Sequence, residues 1–349
     1  LTKLAIGRSD ILGAIPTTAI IANYNGADYL ARCVSSFREQ TTPFTELIVV
    51  DAGSTDGSPE MIHDGSVPVD AYIQDDNRGY GAALNLGMQQ AQGEIVVFSN
   101  IDLFLDPHWL AAVHEQFEAH PDCGLVASKI LYMDEPQRIN STGMLFYADF
   151  SAINRGMNEM DDGQYQEAEE VFGANGAVMA FRRSVLTQIG GFDERYFLFR
   201  EEDELMWRMK RHGWVSRYAP EAIVYHKRSA STGLFSPLKL YYSERNRLWN
   251  ILKHLPLRCV FTTIPAVFSR YLGNLRHVRA GGTSKAEQVA RIPKWKLALA
   301  LLRAWVDAMV GAPSMLRKRR QYNRTSTVTP RQARKWVQQY PATLEDMIK

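Results

Sequence analysis

The chain has 349 residues, of which 46% are hydrophobic and 22% are charged, and its formal net charge is +2. This composition excludes a disordered or collagen-like chain and is typical of an enzyme-sized globular protein with a sizeable core. The small net charge hides a division, because residues 255 to 349 contain 18 Lys and Arg against 4 Asp and Glu, whereas the preceding residues contain 22 against 34. The basic C-terminal region therefore needs its own explanation.

The three cysteines, Cys33, Cys123 and Cys259, are widely spaced and form no Cys-x-x-Cys pair. They predict neither a disulfide framework nor a zinc site, and they favour a reducing compartment. No uninterrupted apolar run reaches the roughly 18 residues of a membrane span, and the first residues lack the pattern of a secretory signal. We therefore expect a cytoplasmic protein that does not span a membrane.

The first hundred residues alternate short apolar runs with helical segments. Strands are predicted over residues 18–22, 47–50, 71–73 and 95–98, and helices over about 28–40, from Ser58 onward and up to Gln92. This alternation has the spacing of βαβ units and predicts an α/β fold with a mostly parallel, doubly wound sheet flanked by helices.

The elements that follow are less regular. A helix is predicted over 107–120 and a strand over 124–130, and the chain from about 131 to 170 is predicted to be a loop-rich excursion over the ligand edge. A strand over 176–181, a helix to Ile189, a helix that begins with an acidic cluster near residue 201 and a strand that ends at His226 complete this part.

Polar residues follow three of the predicted strands, where ligands of open α/β sheets bind. The Asn23 to Asn25 turn and Asp51 offer acceptors for a ribose hydroxyl or a base edge, although hydrogen-bonded turns would have the same sequence. Asp102, helped by Asn100, could hold Mg²⁺ or Mn²⁺ on a diphosphate, since these cations take few hard oxygen ligands from the protein. His226 could ligate the metal or the diphosphate, or be a structural histidine.

A glycine-containing loop, Arg78-Gly79-Tyr80-Gly81, precedes the third predicted helix. Such a loop lets the backbone approach a phosphate while the guanidinium neutralises it. It imitates part of a dinucleotide fingerprint, but Leu84 stands at the third glycine position and the segment lies well past the first βα turn. A nicotinamide cofactor is therefore not expected.

Four consecutive acids, Glu201 to Glu204, form the first turn of a predicted helix. The helix dipole favours them there, while they repel one another, and mutual repulsion raises carboxyl pKa values. The cluster is thus a candidate for a catalytic base, with a solvated acidic turn as the alternative.

Taken together, these segments resemble the inverting glycosyltransferases of family 2, whose catalytic domain has the nucleotide-binding GT-A fold. The matching segments lie in order at residues 20–25, 49–58, 77–87, 100–102, 190–194, 201–208, 213–214 and 225–226. The resemblance covers about residues 17–254 as the catalytic domain. It leaves residues 1–16 as an N-terminal extension and residues 255–349 as a basic amphipathic helical C-terminal region.

The resemblance also implies roles for individual residues. The donor-binding residues it implies are Ala22, Asn23, Tyr24, Asn25, Asp51, Ser54, Arg78, Gly79, Asn85 and Asn100. Asp102 and His226 are the implied ligands of Mg²⁺ or Mn²⁺, and Asn100 stands where the metal motif usually has its first acid. Glu202, eleven residues before Gly213, occupies the position of the base, where aspartate is usual, so Asp203 is a rival.

Acceptor recognition is predicted from aromatic residues and amides near the base, because sugar rings commonly pack on aromatic faces. The candidates are Asn175, Phe199 and Trp207. The implied activity is transfer of a sugar from dTDP-rhamnose or a UDP-sugar to a saccharide on a polyprenyl diphosphate, in bacterial surface polysaccharide synthesis. A nucleotidyltransferase and a non-catalytic nucleotide-sugar-binding or scaffold protein are the alternatives.

The C-terminal region repeats apolar residues at helical spacing, with basic residues around them. These apolar residues are Trp295, Leu299, Leu302, Trp305, Val306 and Met309. The pattern predicts a helix in the interface of an anionic membrane, or a helix packed on the catalytic domain with a solvated basic face. No nucleic-acid recognition motif accompanies the charge, so a nucleic-acid partner is not expected. Similar family members act at the inner face of the cell membrane, and the same peripheral location is expected here.

Overall fold

The computed structural model describes residues 15–227, 236–279 and 292–348. Its strands are β1 (Thr17–Asn23), β2 (Glu46–Asp51), β3 (Ala71–Gln74), β4 (Ile95–Asn100), β5 (Leu103–Leu105), β6 (Cys123–Tyr132), β7 (Ile139–Ser141), β8 (Met144–Phe146), β9 (Ala152–Asn154), β10 (Glu169–Val171), β11 (Val178–Arg182) and β12 (Val215–His226).

The described helices follow the same chain order. They are α1 (Ala27–Arg38), α2 (Ser58–His63), α3 (Tyr80–Gln90), α4 (Trp109–Ala119), α5 (Arg183–Ile189), α6 (Glu201–Arg211), α7 (Pro237–His254), α8 (Cys259–Thr262), α9 (Ile264–Arg279), α10 (Lys294–Thr325), α11 (Pro330–Ala333), α12 (Trp336–Gln339) and α13 (Leu344–Ile348). A single 3₁₀ turn, Glu194–Tyr196, precedes α6.

The central sheet has the strand order β10-β12-β6-β11-β4-β1-β2-β3. Strands β1, β2, β3 and β4 are parallel to one another, and β12 is parallel to β6. Strand β11 lies antiparallel between β4 and β6. The predicted α/β class with a mostly parallel sheet flanked by helices is thus confirmed.

The register of the parallel strands brings their polar ends together. Asn23 at the end of β1 lies beside Asp51 at the end of β2, and Ala22 lies beside Asn100 at the end of β4. Because parallel strands all end at the same edge of the sheet, the polar turns that follow them form one surface.

Both faces of the sheet are buried, which explains the continuous apolar runs of its strands. Along β1, Ile20 belongs to one hydrophobic cluster, whereas Ala19 and Ile21 belong to the cluster on the opposite face. Side chains alternate between the two faces of a strand, so Ile20 packs under one layer of helices, and Ala19 and Ile21 pack under the other.

One part of the chain differs from the sequence predictions. Residues 131–170, predicted as irregular, contain β7 to β9 and the start of β10, whose three-residue length is too short to show a pattern. The C-terminal region is helical, as predicted, and it shares the core of the residues before 254, since Cys259, Ala333 and Tyr340 belong to the same buried cluster as β4 and α6. Residues 1–14 of the predicted N-terminal extension lie outside the described residues.

Helix α10 is 32 residues long and packs on α7 along a stripe of small residues that includes Ala304, Ala308 and Gly311. A Cβ on Gly311 would lie 2.5 Å from the ring of Trp249, so only glycine permits this close approach. An 18-residue window of α10 reaches a mean hydropathy of 1.3, enough in length and composition to cross a membrane, although 28% of that window is buried against the protein. The sequence prediction did not find this stretch, because it looked for an uninterrupted apolar run and basic residues interrupt this one.

Candidate active site

A buried hydrogen-bond network joins the ends of β1 and β2. The Asn23 Nδ2 atom donates to Asp51 Oδ2 at 2.5 Å and to Ser58 Oγ at 2.9 Å. The other Asp51 oxygen accepts from the backbone N–H of Ser54 at 2.8 Å. Asp51 is fully buried. The network therefore holds the strand ends in a fixed shape.

The Tyr24-Asn25 turn is joined to this network through Ser54, whose Oγ also accepts from Asn23 Nδ2 at 3.2 Å. Asn25 has a φ of +51°, its N–H donates to Ser54 Oγ at 2.8 Å, and its side-chain oxygen accepts from the N–H of Thr55 at 2.9 Å. Tyr24 is 47% exposed. The turn thus presents an aromatic face at the carboxyl edge of β1, in a position fixed by the loop after β2.

The predicted phosphate loop approaches another backbone segment closely. Gly79 has a φ of +99°, and a Cβ on it would lie 2.2 Å from the carbonyl oxygen of Phe197. The N–H of Tyr80 donates to the same oxygen at 3.0 Å. Arg78 pairs with Asp75 at 2.6 Å and lies 3.7 Å from Glu194, so its guanidinium is engaged by two carboxylates.

Asn85, a predicted donor-binding residue, holds a loop of the protein instead. Its side-chain oxygen accepts from the N–H of Phe192 at 2.8 Å, and its Nδ2 donates to the carbonyl of Phe192 and to Glu194 Oε1, both at 3.0 Å. Any effect of Asn85 on the donor would therefore pass through this loop.

Asp102 and His226, the two predicted metal ligands, lie side by side. The Asp102 Oδ1 to His226 Nε2 distance is 3.4 Å, and both side chains are largely buried. His226 Nδ1 lies 3.1 Å from Asn140 Oδ1, an acceptor. In the neutral imidazole that donates to this oxygen, the lone pair of Nε2 faces the carboxylate. A cation fits between two facing atoms that each present a lone pair. Here a Mn²⁺ or Mg²⁺ ion would take one carboxylate oxygen and one imidazole nitrogen as ligands.

These two side chains would leave most coordination positions of the ion open. In the described part of the chain no group of three or more His, Cys, Asp or Glu could hold a metal. The remaining ligands would then come from water and from the substrate, which is the usual arrangement for Mg²⁺ bound together with phosphates.

The four acids at the start of α6 have separate environments. Glu204 is fully buried and contacts Arg208 at 2.6 Å, Lys253 at 3.3 Å and His254 at 3.2 Å. Although burial opposes it, the charge of Arg208 holds the pKa of Glu204 well below its usual range. Asp203 pairs with Arg200 at 3.0 Å. Both of these carboxylates are therefore occupied by cations of the protein.

Within the described part of the chain, neither Glu201 nor Glu202 forms an ion pair. Burial, then the neighbouring Glu202 carboxylate, raises the pKa of Glu201 well above its usual range, and Glu201 Oε2 is buried without a hydrogen-bond partner in the described residues. Burial, then the charge of Asp203, raises the pKa of Glu202 to about 7. Glu202 is the partly exposed member of the pair. A carboxylate with a pKa near neutrality is suited to act as a general base.

Tyr80 connects the metal pair with the acidic pair, and sequence reasoning missed it. Its hydroxyl donates to the carbonyl of Gly176 at 2.8 Å. A Cβ on Gly176 would lie 3.1 Å from Cγ of Glu202, so that side chain packs directly on this backbone. Burial and the charges of Glu201, Glu202 and Asp102 all raise the pKa of Tyr80. The two predicted acids, Asp102 and Glu202, therefore both lie near Tyr80, and the surroundings of this side chain are the candidate cleft.

The three predicted acceptor residues have different surroundings. Asn175 precedes Gly176, and its side-chain oxygen accepts from the N–H of Ala177 at 2.7 Å. Phe199 is partly exposed, with Lys239 Nζ 5.4 Å from its ring centre. Trp207 is only 2% exposed and packs between aromatic core residues, among them Phe172 at 4.8 Å. Its ring completes the core, so any effect of Trp207 on the acceptor would pass through the residues packed around it.

Solved glycosyltransferases share this fold. GalNAc-T7 with UDP, GalNAc and Mn²⁺ aligns with a TM-score of 0.56 at 13% identity, over 69% of this chain and 48% of that one. S. aureus TarS 1-349 with UDP-GlcNAc aligns with a TM-score of 0.52 at 16% identity, over 88% and 92%. The protein thus has the GT-A glycosyltransferase fold.

The sequence comparisons identify the family. Residues 18–190 match the family described as Glycosyl transferase family 2, and the chain belongs to this family. The N-acetylglucosaminyl-diphospho-decaprenol L-rhamnosyltransferase of Mycobacterium tuberculosis is 27% identical over 64% of this chain and 78% of its own length. The poly-beta-1,6-N-acetyl-D-glucosamine synthase of Staphylococcus epidermidis is 25% identical, over 58% and 48%. The predicted resemblance to a family 2, rhamnosyltransferase-like member is confirmed.

Proposed function

We propose that this glycosyltransferase moves a sugar from a nucleotide-diphosphate donor to a hydroxyl of a lipid-linked saccharide, with inversion at the anomeric carbon. The main support is the surroundings of Tyr80, where the charges of Glu202, a carboxylate with a pKa of about 7, and of Asp102, which pairs with His226, both act on the phenol. A base and a cation-binding pair near the same side chain suit attack on a sugar whose leaving group is a diphosphate.

In this reaction Glu202 accepts the proton of the acceptor hydroxyl while the oxygen of that hydroxyl forms the new bond to the anomeric carbon. The bond between that carbon and the diphosphate oxygen breaks, and the electron pair leaves with the nucleoside diphosphate. Asp102 and His226 would hold Mg²⁺ or Mn²⁺, which when bound neutralises charge on the diphosphate. Attack from the face opposite the leaving group inverts the configuration, and one base is sufficient.

The donor would bind at the joined ends of β1, β2 and β4. Asp51 is tied to Asn23 and Ser54, and this fixed network positions the exposed Tyr24 and the Asn25 backbone for the nucleotide. The donor in this proposal is dTDP-rhamnose or a UDP-sugar. The name of the rhamnosyltransferase relative supports transfer of rhamnose to a polyprenyl-diphosphate-linked saccharide, and TarS binds UDP-GlcNAc. Such a reaction would belong to bacterial surface polysaccharide synthesis.

A lipid-linked acceptor requires access to a membrane surface, and the C-terminal helices suit one. Helices α9 and α10 both pack on α7, and both expose large apolar side chains. The exposed residues are Phe268, Leu272, Trp295, Leu299, Leu302, Val306, Met309 and Val310. Exposed patches of this kind mark interaction sites, and basic side chains such as Lys294, Lys296 and Arg303 would favour anionic lipids of the inner leaflet.

The test of the function starts from donor binding. dTDP-rhamnose and UDP-sugars are added one at a time, with and without Mn²⁺, and the donor that raises the melting temperature is used for turnover. N-acetylglucosaminyl-diphospho-decaprenol serves as the acceptor probe, and release of nucleoside diphosphate is measured. We expect Glu202→Gln to keep the donor-induced shift and to lose roughly 10²- to 10⁴-fold in rate. Glu221→Gln, an exposed glutamate on β12, is the matched control and should keep both.

Other outcomes would contradict the proposal. Release of pyrophosphate in place of nucleoside diphosphate would indicate a nucleotidyltransferase. A donor-induced shift without turnover on any lipid-linked saccharide would indicate a binding or scaffold protein. Full activity of Glu202→Gln would move the base to another residue.

Membrane binding has its own test, sedimentation with anionic liposomes at low salt. The wild-type chain should pellet with the vesicles, and the double variant Leu299→Glu/Leu302→Glu should stay in the supernatant. The control Gln89→Glu/Gln90→Glu introduces the same charge on α3 and should pellet like the wild type. Wild-type protein that stays in the supernatant would refute the proposed surface.

A further inference from the structure

The segment that leads into the base helix has an unusual backbone. Phe197, Phe199 and Arg200 have φ values of +65°, +64° and +71°, a region that residues with a side chain rarely adopt. Phe197 is the centre of a γ-turn with ψ of −60°, in which the N–H of Leu198 donates to the carbonyl of Tyr196 at 2.8 Å. This turn geometry is rare and strained. The segment would not keep this shape without contacts that hold it.

Those contacts come from α7, and above all from Asn246. This residue is fully buried, and its Nδ2 lies 3.1 Å from the carbonyl oxygen of Tyr196, 3.1 Å from that of Leu198 and 2.7 Å from that of Phe199. The Nε of Arg245 donates to Asn246 Oδ1 at 2.9 Å, which fixes the amide with its nitrogen toward the segment. The two hydrogens of one side chain thus serve three carbonyls of the strained segment.

The segment in turn determines where Glu202 lies. Arg200 is the left-handed residue that immediately precedes α6, so its backbone sets the direction of the first helical turn. Glu202 follows two residues later and packs on Gly176 in the cleft. On the opposite side, the carbonyl of Phe197 accepts from the N–H of Tyr80, the residue whose hydroxyl holds Gly176. The strained segment therefore joins α6, which carries Glu202, and contacts Tyr80, whose hydroxyl holds the Gly176 backbone on which Glu202 packs.

We infer that Asn246 is a positioning residue, which holds the 197–200 backbone in its strained form and thereby keeps Glu202 in the cleft. This inference rests on the proposed role of Glu202. Without the Nδ2 donor, the three carbonyls would lose their shared partner, and the segment would relax to more common backbone angles. The first turn of α6 would then shift and move the Glu202 carboxylate toward water.

The test compares Asn246→Ala with the wild type in two measurements. In the first, selectively ¹³C-labelled glutamate is titrated by NMR, and the Glu202 carboxyl is identified by its loss in Glu202→Gln. The groups that face this carboxyl are Glu201, Asp203, Arg200 and Tyr80, and none of them is changed by the variant. We expect the Glu202 midpoint to fall from about 7 toward the value of an exposed glutamate.

The second measurement is steady-state transfer. We expect kcat to fall roughly 10- to 100-fold, as small displacements of a catalytic group do, while the KM for the donor stays unchanged. Asn246→Leu, which keeps the volume without the donor, should behave in the same way and replaces Asn246→Ala if that variant does not fold. The control is Ile251→Ala, a fully buried core residue on the same helix, which should lower the melting temperature and leave kcat and the Glu202 midpoint unchanged.

A merely structural role gives a different result. If both Asn246 variants lower the melting temperature as Ile251→Ala does, yet keep kcat within about twofold and the same Glu202 midpoint, the inference is overturned. If the wild type transfers no sugar, the proposed function fails, but the NMR titration still decides whether Asn246 positions Glu202.

Discussion

The pKa of Glu202 leads to a specific dependence of activity on pH. A general base must be ionised, and burial together with Asp203 raises the pKa of Glu202 to about 7. Activity is therefore expected to be complete above this value and to be lost as the pH falls through it. Below the midpoint the ionised fraction decreases about tenfold per pH unit, so kcat/KM at pH 5 should be about one hundredth of its maximum.

The assay measures initial rates of nucleoside diphosphate release between pH 5 and pH 9 with limiting acceptor, because kcat/KM reports the ionisation of the free enzyme. The acid limb of the profile should have a midpoint near 7. Far-UV circular dichroism over the same range shows whether the protein stays folded. A flat profile, or a midpoint near 4.5 as for an ordinary glutamate, would refute the assignment.

Asp203→Asn separates the two candidate bases. The variant removes the carboxylate that raises the pKa of Glu202 and leaves the Arg200 guanidinium without that partner. Both changes favour the ionised form of Glu202, so the acid limb should move to lower pH while the maximal rate is kept. A loss of roughly 10²- to 10⁴-fold at every pH would instead identify Asp203 as the base.

Three further substitutions test other parts of the site and its support. His226→Gln should raise the Mn²⁺ concentration for half-maximal rate by roughly tenfold or more, because it removes one of two protein ligands; an unchanged Mn²⁺ titration would exclude His226 from the metal site. Gly79→Ala should lower the free energy of unfolding by about 1–3 kcal/mol in urea, since its φ is +99° and its Cβ would meet the carbonyl of Phe197, and an unshifted urea midpoint would contradict this. Trp207→Ala should cost about 3–5 kcal/mol in the same assay with an unchanged acceptor KM, whereas a raised KM at full stability would restore Trp207 as an acceptor contact.

The positions of the site residues at strand ends were predictable from the sequence. A β-branched run that stops at a polar residue, as before Asp51 and Asp102, indicates both the strand and its edge, and parallel strands bring such ends together. The partners of those residues were not predictable. The burial of Asp51 against Asn23 depends on the register of two strands 28 residues apart, which no local pattern specifies.

The acidic cluster shows the same limit. Only the pairing of Glu204 with Arg208 follows from the sequence, as an i,i+4 pair on one helix. The contacts of Glu204 with Lys253 and His254 come from α7, about fifty residues later, and they leave Glu202 to face the cleft. The burial of Trp207 was not readable, because its neighbours three and four residues away on the helix, Asp203, Glu204, Lys210 and Arg211, are all charged.

Tyr80 and Asn246 had weaker signals. Tyr80 directly follows the glycine that approaches Phe197, but nothing in the sequence indicates that its hydroxyl reaches Gly176. In α7, residues 244–247 read Glu-Arg-Asn-Arg, and four consecutive polar residues cannot all face water on a helix that packs on both sides. Such a run indicates a buried polar network, though not what it binds.

The divided environment of α10 has a practical consequence for protein engineering. Its first half exposes apolar side chains that would require detergent during purification, and deleting the helix would be the usual remedy. Its second half, however, places Lys318 against Asp193 at 2.6 Å and Asn323 against Arg211 at 2.7 Å, beneath the loop and helix that hold the catalytic acids. An enzyme that needs no detergent should therefore be sought by replacing the exposed apolar residues of α10 with polar ones in the full-length chain. Truncation would remove the contacts of Lys318 and Asn323 that support the loop and helix of the candidate site.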